Sequence, residues 1–187
     1  MSPSRRRAVF LDRDGVLNEV VLRDGRPHPP ASADELKLFP DACAQLQRLK
    51  ERGFLLICVS NQPDVARGNQ SRDAVEAMNA RLRSDLPLDD LLVCYHDDVD
   101  RCSCRKPAPG LLLEAANRHA IDRSASFMIG DRWRDVQAGQ RAACTSILIE
   151  CGYRDGDVQV QPDHRVRSLA EAVDWILARV GGGGTLG

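Results

Sequence analysis

The 187 residues of the chain include 26 lysines and arginines and 27 aspartates and glutamates, which gives a formal net charge of −1. This balance argues against a nucleic-acid-binding domain, which usually carries a strongly basic face. No apolar run approaches the roughly 20 residues of a membrane span. A hydrophobic fraction of 43% in a chain of this length is enough for one sizeable core. We therefore expect one domain with neither a nucleic-acid nor a membrane partner, and we expect it to be a monomer.

The seven cysteines are an odd number, which argues against a fully paired disulfide framework. The N-terminus has a short basic run at residues 5–7 and shows no apolar signal region. With no apolar run long enough for a membrane span and no signal region, the protein is expected to be cytoplasmic. Three cysteines lie in apolar segments and are predicted to be small core residues: Cys43, Cys58 and Cys144.

The first half of the chain begins with an apolar run over residues 8–11, which predicts a strand. Residues 19–38 follow without any periodicity, and a loop of this length in a small domain is typically functional or a lid. A helix is predicted from about Pro40 to Gly53. The continuous apolar run over residues 54–59 predicts a buried parallel strand.

The second half continues the same alternation of helices and strands. We predict a helix over residues 71–84, a strand over 91–95, a helix over 109–119 and a strand over 126–129. A short helix, a last core strand over 145–149 and a terminal helix follow, and the terminal helix begins with a capping box at Ser168–Glu171. This order predicts a single doubly wound α/β domain of the Rossmann-like kind, with a central parallel sheet and no large cap. The domain is expected to span residues 8–180, between a flexible tail at 1–7 and a disordered glycine-rich tail at 181–187.

Carboxylates follow the first predicted strand directly. Asp12 and Asp14 are two residues apart, so on an extended segment their side chains point the same way. Two ionised carboxylates at this distance repel each other, and a cation bound between them relieves the repulsion. Gly15 then allows a sharp turn. The calcium loop of an EF-hand is the alternative for this motif, but its further oxygen ligands and its glutamate are missing.

Polar residues also follow later strands. Ser60 and Asn61 end the second long apolar run, and Asp131 ends another. Because the carboxyl ends of parallel strands meet at one edge of a sheet, we expect these side chains to lie near Asp12. Carboxylates with few soft ligands suit Mg²⁺ and leave room for a phosphate. With the positive charge of Lys106, the set predicts phosphoryl transfer through a carboxylate nucleophile.

A second group of residues matches the ligand count of a tetrahedral zinc site. Cys94 and His96 are followed by Cys102 and Cys104, so three thiols and one imidazole lie in the loop over residues 94–104. A closed ligand set of this kind indicates a structural zinc, and reduced surface cysteines are the alternative. The other histidines have no partners at ligand spacing and are expected at the surface or the core edge: His28, His119 and His164.

Four motifs in chain order resemble those of the haloacid dehalogenase superfamily of aspartate-nucleophile phosphatases. They are Asp12-Arg13-Asp14-Gly15, Ser60, Lys106, and Gly130-Asp131 with Asp135. The resemblance covers roughly residues 8–178 and is strongest to the small capless phosphatases of subfamily IIIA, which act on heptose bisphosphates or histidinol phosphate. Those phosphatases also have a matching loop of cysteines and one histidine.

The resemblance implies a role for each matching residue. Asp12 is the nucleophile that forms an aspartyl-phosphate, and Asp14 is the general acid and then the general base. Mg²⁺ is held by the Asp12 carboxylate, the Asp14 backbone carbonyl and Asp131. Ser60 and Lys106 hold the phosphoryl oxygens.

The resemblance also implies supporting and substrate-binding residues. Asp135 orients Lys106 or the metal shell, while Asn61 and Arg67 belong to the substrate-binding loop. Arg105 is a candidate for a second phosphate or a carboxylate, because a guanidinium matches such groups, and a solvated arginine is the alternative. Asp64, after Pro63, takes the place of a small residue of the family and would repel a second anion if it points inward.

The activity implied is removal of the C7 phosphate of D-glycero-D-manno-heptose 1,7-bisphosphate, which makes a small phosphorylated sugar the substrate. Histidinol phosphate or a broader set of sugar phosphates is the alternative. A relative that binds phosphorylated ligands without catalysis is the alternative from another class of protein.

Overall fold

A computed structural model of the chain describes residues 6–23, 25–152 and 159–181, without the side chain of Arg26. Of the two predicted tails, residues 1–5 and 182–187 lie outside the described residues. Arg6 and Arg7 are attached to the domain, because the Arg6 amide donates to the Ala120 carbonyl at 3.0 Å and the Arg7 guanidinium donates to the Arg52 carbonyl at 3.2 Å.

Strands and helices alternate along the chain as the sequence predicts. Their bounds, in chain order, are β1 (Ala8–Leu11), β2 (Val21–Arg23), β3 (Arg26–His28), α1 (Ala42–Glu51), β4 (Leu55–Asn61), α2 (Arg72–Asp85), β5 (Asp90–Cys94), α3 (Gly110–Arg118), β6 (Phe127–Gly130), α4 (Trp133–Arg141), β7 (Thr145–Ile149), β8 (His164–Val166) and α5 (Leu169–Gly181). A parallel sheet of six strands has the order β5-β4-β1-β6-β7-β8.

Helices cover both faces of this sheet. The apolar sides of α1, α2 and α5 pack with Val9 and Leu11 of β1 on one face, and those of α3 and α4 pack with Ala8 and Phe10 on the other. Successive side chains of β1 therefore pack on opposite faces of the sheet, as the two-residue period of a strand requires. The predicted single doubly wound α/β domain is confirmed. No helix within the described ranges is both long and apolar enough to cross a membrane.

Two sequence-based expectations are wrong. The strand Thr145–Ile149 is not the last of the sheet, because β8 pairs with it in parallel. Only three residues long, with Arg165 exposed, β8 gives no apolar run. Cys43 is exposed rather than in the core. The buried stripe of α1 runs through Ala42, Leu46 and Leu49, and Cys43 lies to one side of it. Cys58 and Cys144 are buried as expected.

The segment over residues 19–38, which has no periodicity, contains an antiparallel hairpin formed by β2 and β3. Its two ends lie side by side, because the Glu19 amide donates to the Lys37 carbonyl at 2.8 Å. Arg81 of α2 fixes the segment after β3 by donating to the carbonyls of Ala33 and Leu36 at 2.8 and 3.1 Å. The hairpin therefore projects from a closed base on the domain.

Candidate active site

The candidate site lies where the order of strands reverses. From β1 the chain proceeds to β4 and β5 on one side of the sheet and then to β6, β7 and β8 on the other. Ligands of open α/β sheets bind in the crevice at such a switch point, beyond the carboxyl ends of the strands. Asp12 follows β1 and Asp131 follows β6, so both carboxylates face this crevice.

Lys106 lies between two carboxylates at the bottom of the crevice. Its Nζ is 2.9 Å from Asp12 Oδ1 and 2.6 Å from Asp135 Oδ1, and it donates to the Val59 carbonyl at 2.8 Å. Burial alone lowers the pKa of a lysine, but the two carboxylates outweigh this effect and hold the pKa of Lys106 above its usual value. The ammonium group is therefore charged and fixed in place.

Three carboxylates of the crevice converge. One oxygen from each of Asp12, Asp131 and Asp135 lies within 4.8 Å of the others, and all three residues are buried. Burial and repulsion by Asp135 raise the pKa of Asp12 to about 6, although Lys106 opposes them. Such a concentration of buried negative charge is typical of a site for a hard cation.

Asp14 is held by a network that the sequence did not indicate. The fully buried Arg13 has its Nε 3.1 Å and its Nη2 3.0 Å from Asp14 Oδ2. Asn18 and Gln62 donate further hydrogen bonds to Asp14 at 2.9 and 2.8 Å. Burial raises the pKa of Asp14, but Arg13 and the two amides outweigh it and leave the pKa below its usual value. Asp14 is thus ionised and immobilised in the substrate-free protein.

The end of β4 supports Lys106 from the side. Asn61 Oδ1 accepts from the Lys106 amide at 3.0 Å, and Asn61 Nδ2 donates to the Lys106 carbonyl at 2.9 Å. Ser60 is fully buried, and its hydroxyl accepts a hydrogen bond from Gln62 at 2.8 Å. Asn61 thus fixes the backbone that carries Lys106, while Gln62 holds the Ser60 hydroxyl near the end of the same strand.

Gly130, the last residue of β6, makes room for Asp135. A Cβ atom added at Gly130 would lie 2.1 Å from Asp135 Cβ, far inside contact distance. We expect Gly130→Ala to push Asp135 away from Lys106, to lower the free energy of unfolding by about 1–3 kcal/mol and to reduce activity. Urea unfolding measures the loss. Gly181→Ala is the control, since its nearest neighbour, an Arg52 nitrogen, is 3.8 Å away. Equal stability of the two variants would contradict the prediction.

The predicted zinc ligands form one cluster. The Sγ atoms of Cys94, Cys102 and Cys104 are 3.2 to 3.7 Å apart, and His96 Nδ1 lies 3.5 Å from Cys94 and 3.3 Å from Cys104. All seven cysteines are free, so these contacts are not disulfides. Zn–S bonds of about 2.3 Å at tetrahedral angles put the sulfurs about 3.8 Å apart. The four side chains therefore have nearly the spacing of a tetrahedral zinc shell.

Above the carboxylates is an open cavity of about 490 Å³. Its rim comes from the hairpin, the loop after β4, the residues directly after the loop over residues 94–104 and the start of α4. The side chains of this rim include Arg23, His28, Asp64, Arg67, Arg105, Arg132 and Arg134. Positive charge dominates the rim, so the cavity suits an anionic ligand.

Acidic residues of the loop over residues 94–104 pair with the two arginines that the sequence singled out. Arg67 Nε donates to Asp97 at 2.9 Å, and this bond lowers the pKa of Asp97 to about 2. Arg105 Nε donates to Asp98 at 2.8 Å. Asp64 also lines the cavity, and Arg67 lies 3.6 Å from it, which offsets its charge.

The three histidines outside the loop over residues 94–104 have different surroundings. His28, the last residue of β3 in the hairpin, lines the cavity, which the sequence did not indicate. His119 contacts Asp90 at 2.8 Å, and His164 stacks on Trp175 with ring centroids 4.5 Å apart. Only His28 of these three lies at the candidate site.

Comparison with known proteins assigns the chain to a family. It is 36% identical to a D-glycero-D-manno-heptose-1,7-bisphosphate 7-phosphatase of Thermosynechococcus vestitus, over 94% of this chain and 97% of that protein. A D-glycero-beta-D-manno-heptose-1,7-bisphosphate 7-phosphatase of Pasteurella multocida is also 36% identical, over 89% and 94%. The chain belongs to the heptose bisphosphate phosphatase family of the haloacid dehalogenase superfamily.

Two further similarities agree with membership in this phosphatase family. The HAD-hydrolase-like family model matches residues 103–172. A crystal structure of D,D-heptose 1,7-bisphosphate phosphatase from B. bronchiseptica, complexed with magnesium and phosphate, superimposes with a TM-score of 0.76. The two sequences are 26% identical, and the superposition covers 92% of this chain and 99% of the B. bronchiseptica chain. The protein is a phosphoric monoester hydrolase with the haloacid dehalogenase fold.

Proposed function

We propose that the protein removes the C7 phosphate of D-glycero-D-manno-heptose 1,7-bisphosphate, in a magnesium-dependent reaction that passes through an aspartyl-phosphate at Asp12. The observation that carries the chemistry is the pairing of Asp12 with the buried Lys106, at 2.9 Å, on the floor of a basic cavity. The substrate is supported by the names of the relatives, which match nearly the whole chain.

The carboxylate of Asp12 is the nucleophile in this proposal. Its oxygen forms a bond to phosphorus while the bond from phosphorus to the C7 oxygen breaks, which leaves the phosphoryl group on Asp12. Lys106 offsets the charge on the phosphoryl oxygens from its fixed position. Ser60 accepts a hydrogen bond from Gln62, and its own O–H is a donor for a phosphoryl oxygen. Asn61 fixes the position of Lys106 by accepting a hydrogen bond from its backbone amide.

Asp14 transfers the protons. It protonates the departing C7 oxygen and then takes a proton from the water that hydrolyses the aspartyl-phosphate. In the substrate-free protein Arg13 keeps Asp14 ionised. A phosphate dianion bound nearby raises the pKa of Asp14 and favours the protonated form that the first step requires.

The carboxylates on the crevice floor fit a magnesium ion. Asp12 and Asp131, with the backbone carbonyl of Asp14, would hold the ion through the hard oxygen ligands that Mg²⁺ prefers, and the ion would neutralise charge on the phosphoryl group. Asp135 contacts Lys106 at 2.6 Å and therefore acts as its orienting partner.

The raised pKa of Asp12 makes magnesium binding sensitive to pH. The proton must leave Asp12 before the cation binds, so affinity is constant well above pH 6 and declines below it. We expect the affinity to fall about tenfold per pH unit below about pH 6. Isothermal titration calorimetry at pH 7.5, 6 and 5 measures this dependence. Equal affinities at pH 7.5 and 5 would contradict it.

The loop over residues 94–104 fits a structural zinc ion. Its three thiols and one imidazole leave no coordination position open for a substrate, so the zinc only holds the loop. Arg105 and Lys106 come directly after Cys104, and the Arg105 amide contacts Cys102 Sγ at 3.4 Å. The cluster thereby positions the residues that contact the substrate and Asp12.

The substrate is tested by phosphate release at matched concentrations of both anomers of heptose 1,7-bisphosphate and of histidinol phosphate. We expect kcat/KM for one heptose anomer to exceed that for histidinol phosphate at least about 100-fold, a difference of about 2.7 kcal/mol in transition-state binding. Similar low rates on all three compounds would refute the heptose substrate and leave the phosphatase chemistry intact. A preference for histidinol phosphate would assign the protein to the alternative substrate.

A further inference from the structure

One side chain connects the residue that transfers protons in the proposed mechanism to the hydroxyl that contacts the phosphoryl group. Gln62 follows β4 directly, and its Nε2 donates to Asp14 Oδ2 at 2.8 Å and to Ser60 Oγ at 2.8 Å. A carboxamide nitrogen carries two hydrogens, so each of the two bonds uses one of them. Both donors of the Gln62 side chain therefore belong to groups of the active site.

Gln62 lies behind the cavity. Only 1% of the residue is exposed, and it is not among the residues that line the cavity, although its neighbours Asn61 and Pro63 are. Its backbone amide donates to the Cys94 carbonyl at 2.8 Å, which fixes it to the end of β5. Gln62 therefore acts on the reaction through Asp14 and Ser60 and not by touching the substrate.

The orientation of the Gln62 amide leaves one polar atom unsatisfied. Its Oε1 is buried and has no hydrogen-bond partner in residues 6–23, 25–152 or 159–181. A buried polar atom without a partner is unfavourable. The reverse orientation would direct Oε1 at the ionised carboxylate of Asp14, which only accepts hydrogen bonds. Asp14 thus sets the orientation of the amide, and the amide in turn restrains Asp14.

On the basis of the proposed function, we propose that Gln62 is a positioning residue that directs the Asp14 carboxylate toward the leaving oxygen and the Ser60 hydroxyl toward the phosphoryl group. Because Gln62 donates to the Ser60 oxygen, the single O–H of Ser60 is free to donate to a phosphoryl oxygen. A general acid must lie within hydrogen-bond reach of the oxygen that it protonates, and a small misplacement slows the reaction.

The two contacts of Gln62 should affect different substrates to different extents. A sugar alkoxide is a strong base, so it leaves as it receives the proton of Asp14. The p-nitrophenolate ion is stable and leaves without a proton, although the phosphoryl group is the same. Misplacement of Asp14 should therefore slow only the alkyl phosphate, whereas misplacement of Ser60 slows both substrates.

The test measures kcat/KM for an alkyl phosphate and for p-nitrophenyl phosphate in Gln62→Met, whose side chain has a similar length and no donor. These values cover the steps up to the aspartyl-phosphate, so the shared hydrolysis of that intermediate does not affect them. We expect a fall of about 10- to 100-fold for the alkyl phosphate and of less than about fivefold for p-nitrophenyl phosphate. Gln47→Met is the matched control, because Gln47 is exposed on α1, and it should change neither value.

Two further variants separate the contacts of Gln62. Asp14→Asn removes the acid itself and should cause the same selective loss, to a larger extent. Ser60→Ala should lower both values alike. Thermal unfolding shows whether Gln62→Met folds. If it does not, Gln62→Asn replaces it, because its amide lies on a stem one carbon shorter, cannot reach Asp14 and Ser60 at once, and should cause the same selective loss.

The alkyl phosphate is whichever of heptose 1,7-bisphosphate and histidinol phosphate the unmodified protein hydrolyses faster, so failure of the heptose substrate alone does not remove the test. A selective loss in Gln62→Met that is absent from Gln47→Met and Ser60→Ala supports the proposal. Equal losses on the two substrates, or no loss, overturn it while Asp14→Asn is selective. If Asp14→Asn is not selective, or if the protein hydrolyses no alkyl phosphate, the acid role of Asp14 fails and that of Gln62 fails with it.

Discussion

Asp12→Asn is expected to lower kcat/KM for magnesium-dependent hydrolysis of p-nitrophenyl phosphate at least about 10⁴-fold, because the amide cannot form the aspartyl-phosphate. The variant should fold as well as the original protein. Burial and Asp135 raise the pKa of Asp12, so loss of its charge removes an unfavourable interaction, and Lys106 keeps Asp135 as a partner. Phosphate release measures activity, and thermal unfolding confirms the fold.

Asp174→Asn is the control for this substitution. Asp174 is exposed on α5 and pairs with Arg48 at 2.7 Å, so the change removes a surface carboxylate while the site is intact. We expect activity within about twofold of the original, since exposed ion pairs contribute little. If Asp12→Asn retained a tenth or more of the activity, Asp12 would not be the nucleophile. A protein inactive before any substitution would instead support the class of phospho-ligand binders.

Cys104→Ser is expected to have the second large effect. The original protein should carry about one zinc per chain, and the variant less than about 0.2 equivalents, because a hydroxyl is a poor substitute for a thiolate ligand. An ion that binds only the folded chain, at a free concentration 1,000 times its dissociation constant, stabilises the fold by about 4 kcal/mol. The variant should therefore lose about this much free energy of unfolding. Elemental analysis and urea unfolding measure the two effects.

Cys43→Ser is the matched control, since Cys43 is exposed on α1 and outside the cluster. It should keep both its zinc and its stability. Less than about 0.2 equivalents of zinc in the original protein would overturn the zinc assignment. Loss of activity in Cys104→Ser is also expected, because the loop that carries Arg105 and Lys106 would no longer be fixed.

The alternation of strands and helices could be predicted because each element carries its own period. The continuous apolar run of β4 and the buried stripe of α1 are local patterns, and right-handed connections leave few ways to assemble them. The polar residues that end β1, β4 and β6 were expected at one edge of the sheet for the same reason, and the structure places Asp12, Ser60 and Asp131 there.

Other features depend on contacts between distant parts of the chain and left no local signal. A charged residue such as Arg13 usually lies at the surface, yet Arg13 is fully buried. Its guanidinium pairs with Asp14 and donates a hydrogen bond to Asn79 of α2. The edge strand β8 has only three residues and depends on β7 for its hydrogen bonds. Arg134 has no signal in the sequence, because the loop over residues 94–104 brings Asp98 within 3.6 Å of it only in the folded chain.

The reacting groups and the rim of the cavity come from different parts of the architecture. Asp12 and Lys106 are anchored in the buried core, whereas the hairpin of β2 and β3 is a single continuous segment whose ends meet at Glu19 and Lys37. Such a segment can be replaced or lengthened without disturbing the sheet, because surface connections tolerate insertion. Substrate range can therefore diverge by exchange of one hairpin while the chemistry is inherited unchanged. The hairpin is accordingly the segment to transplant between relatives when a new sugar phosphate is the goal.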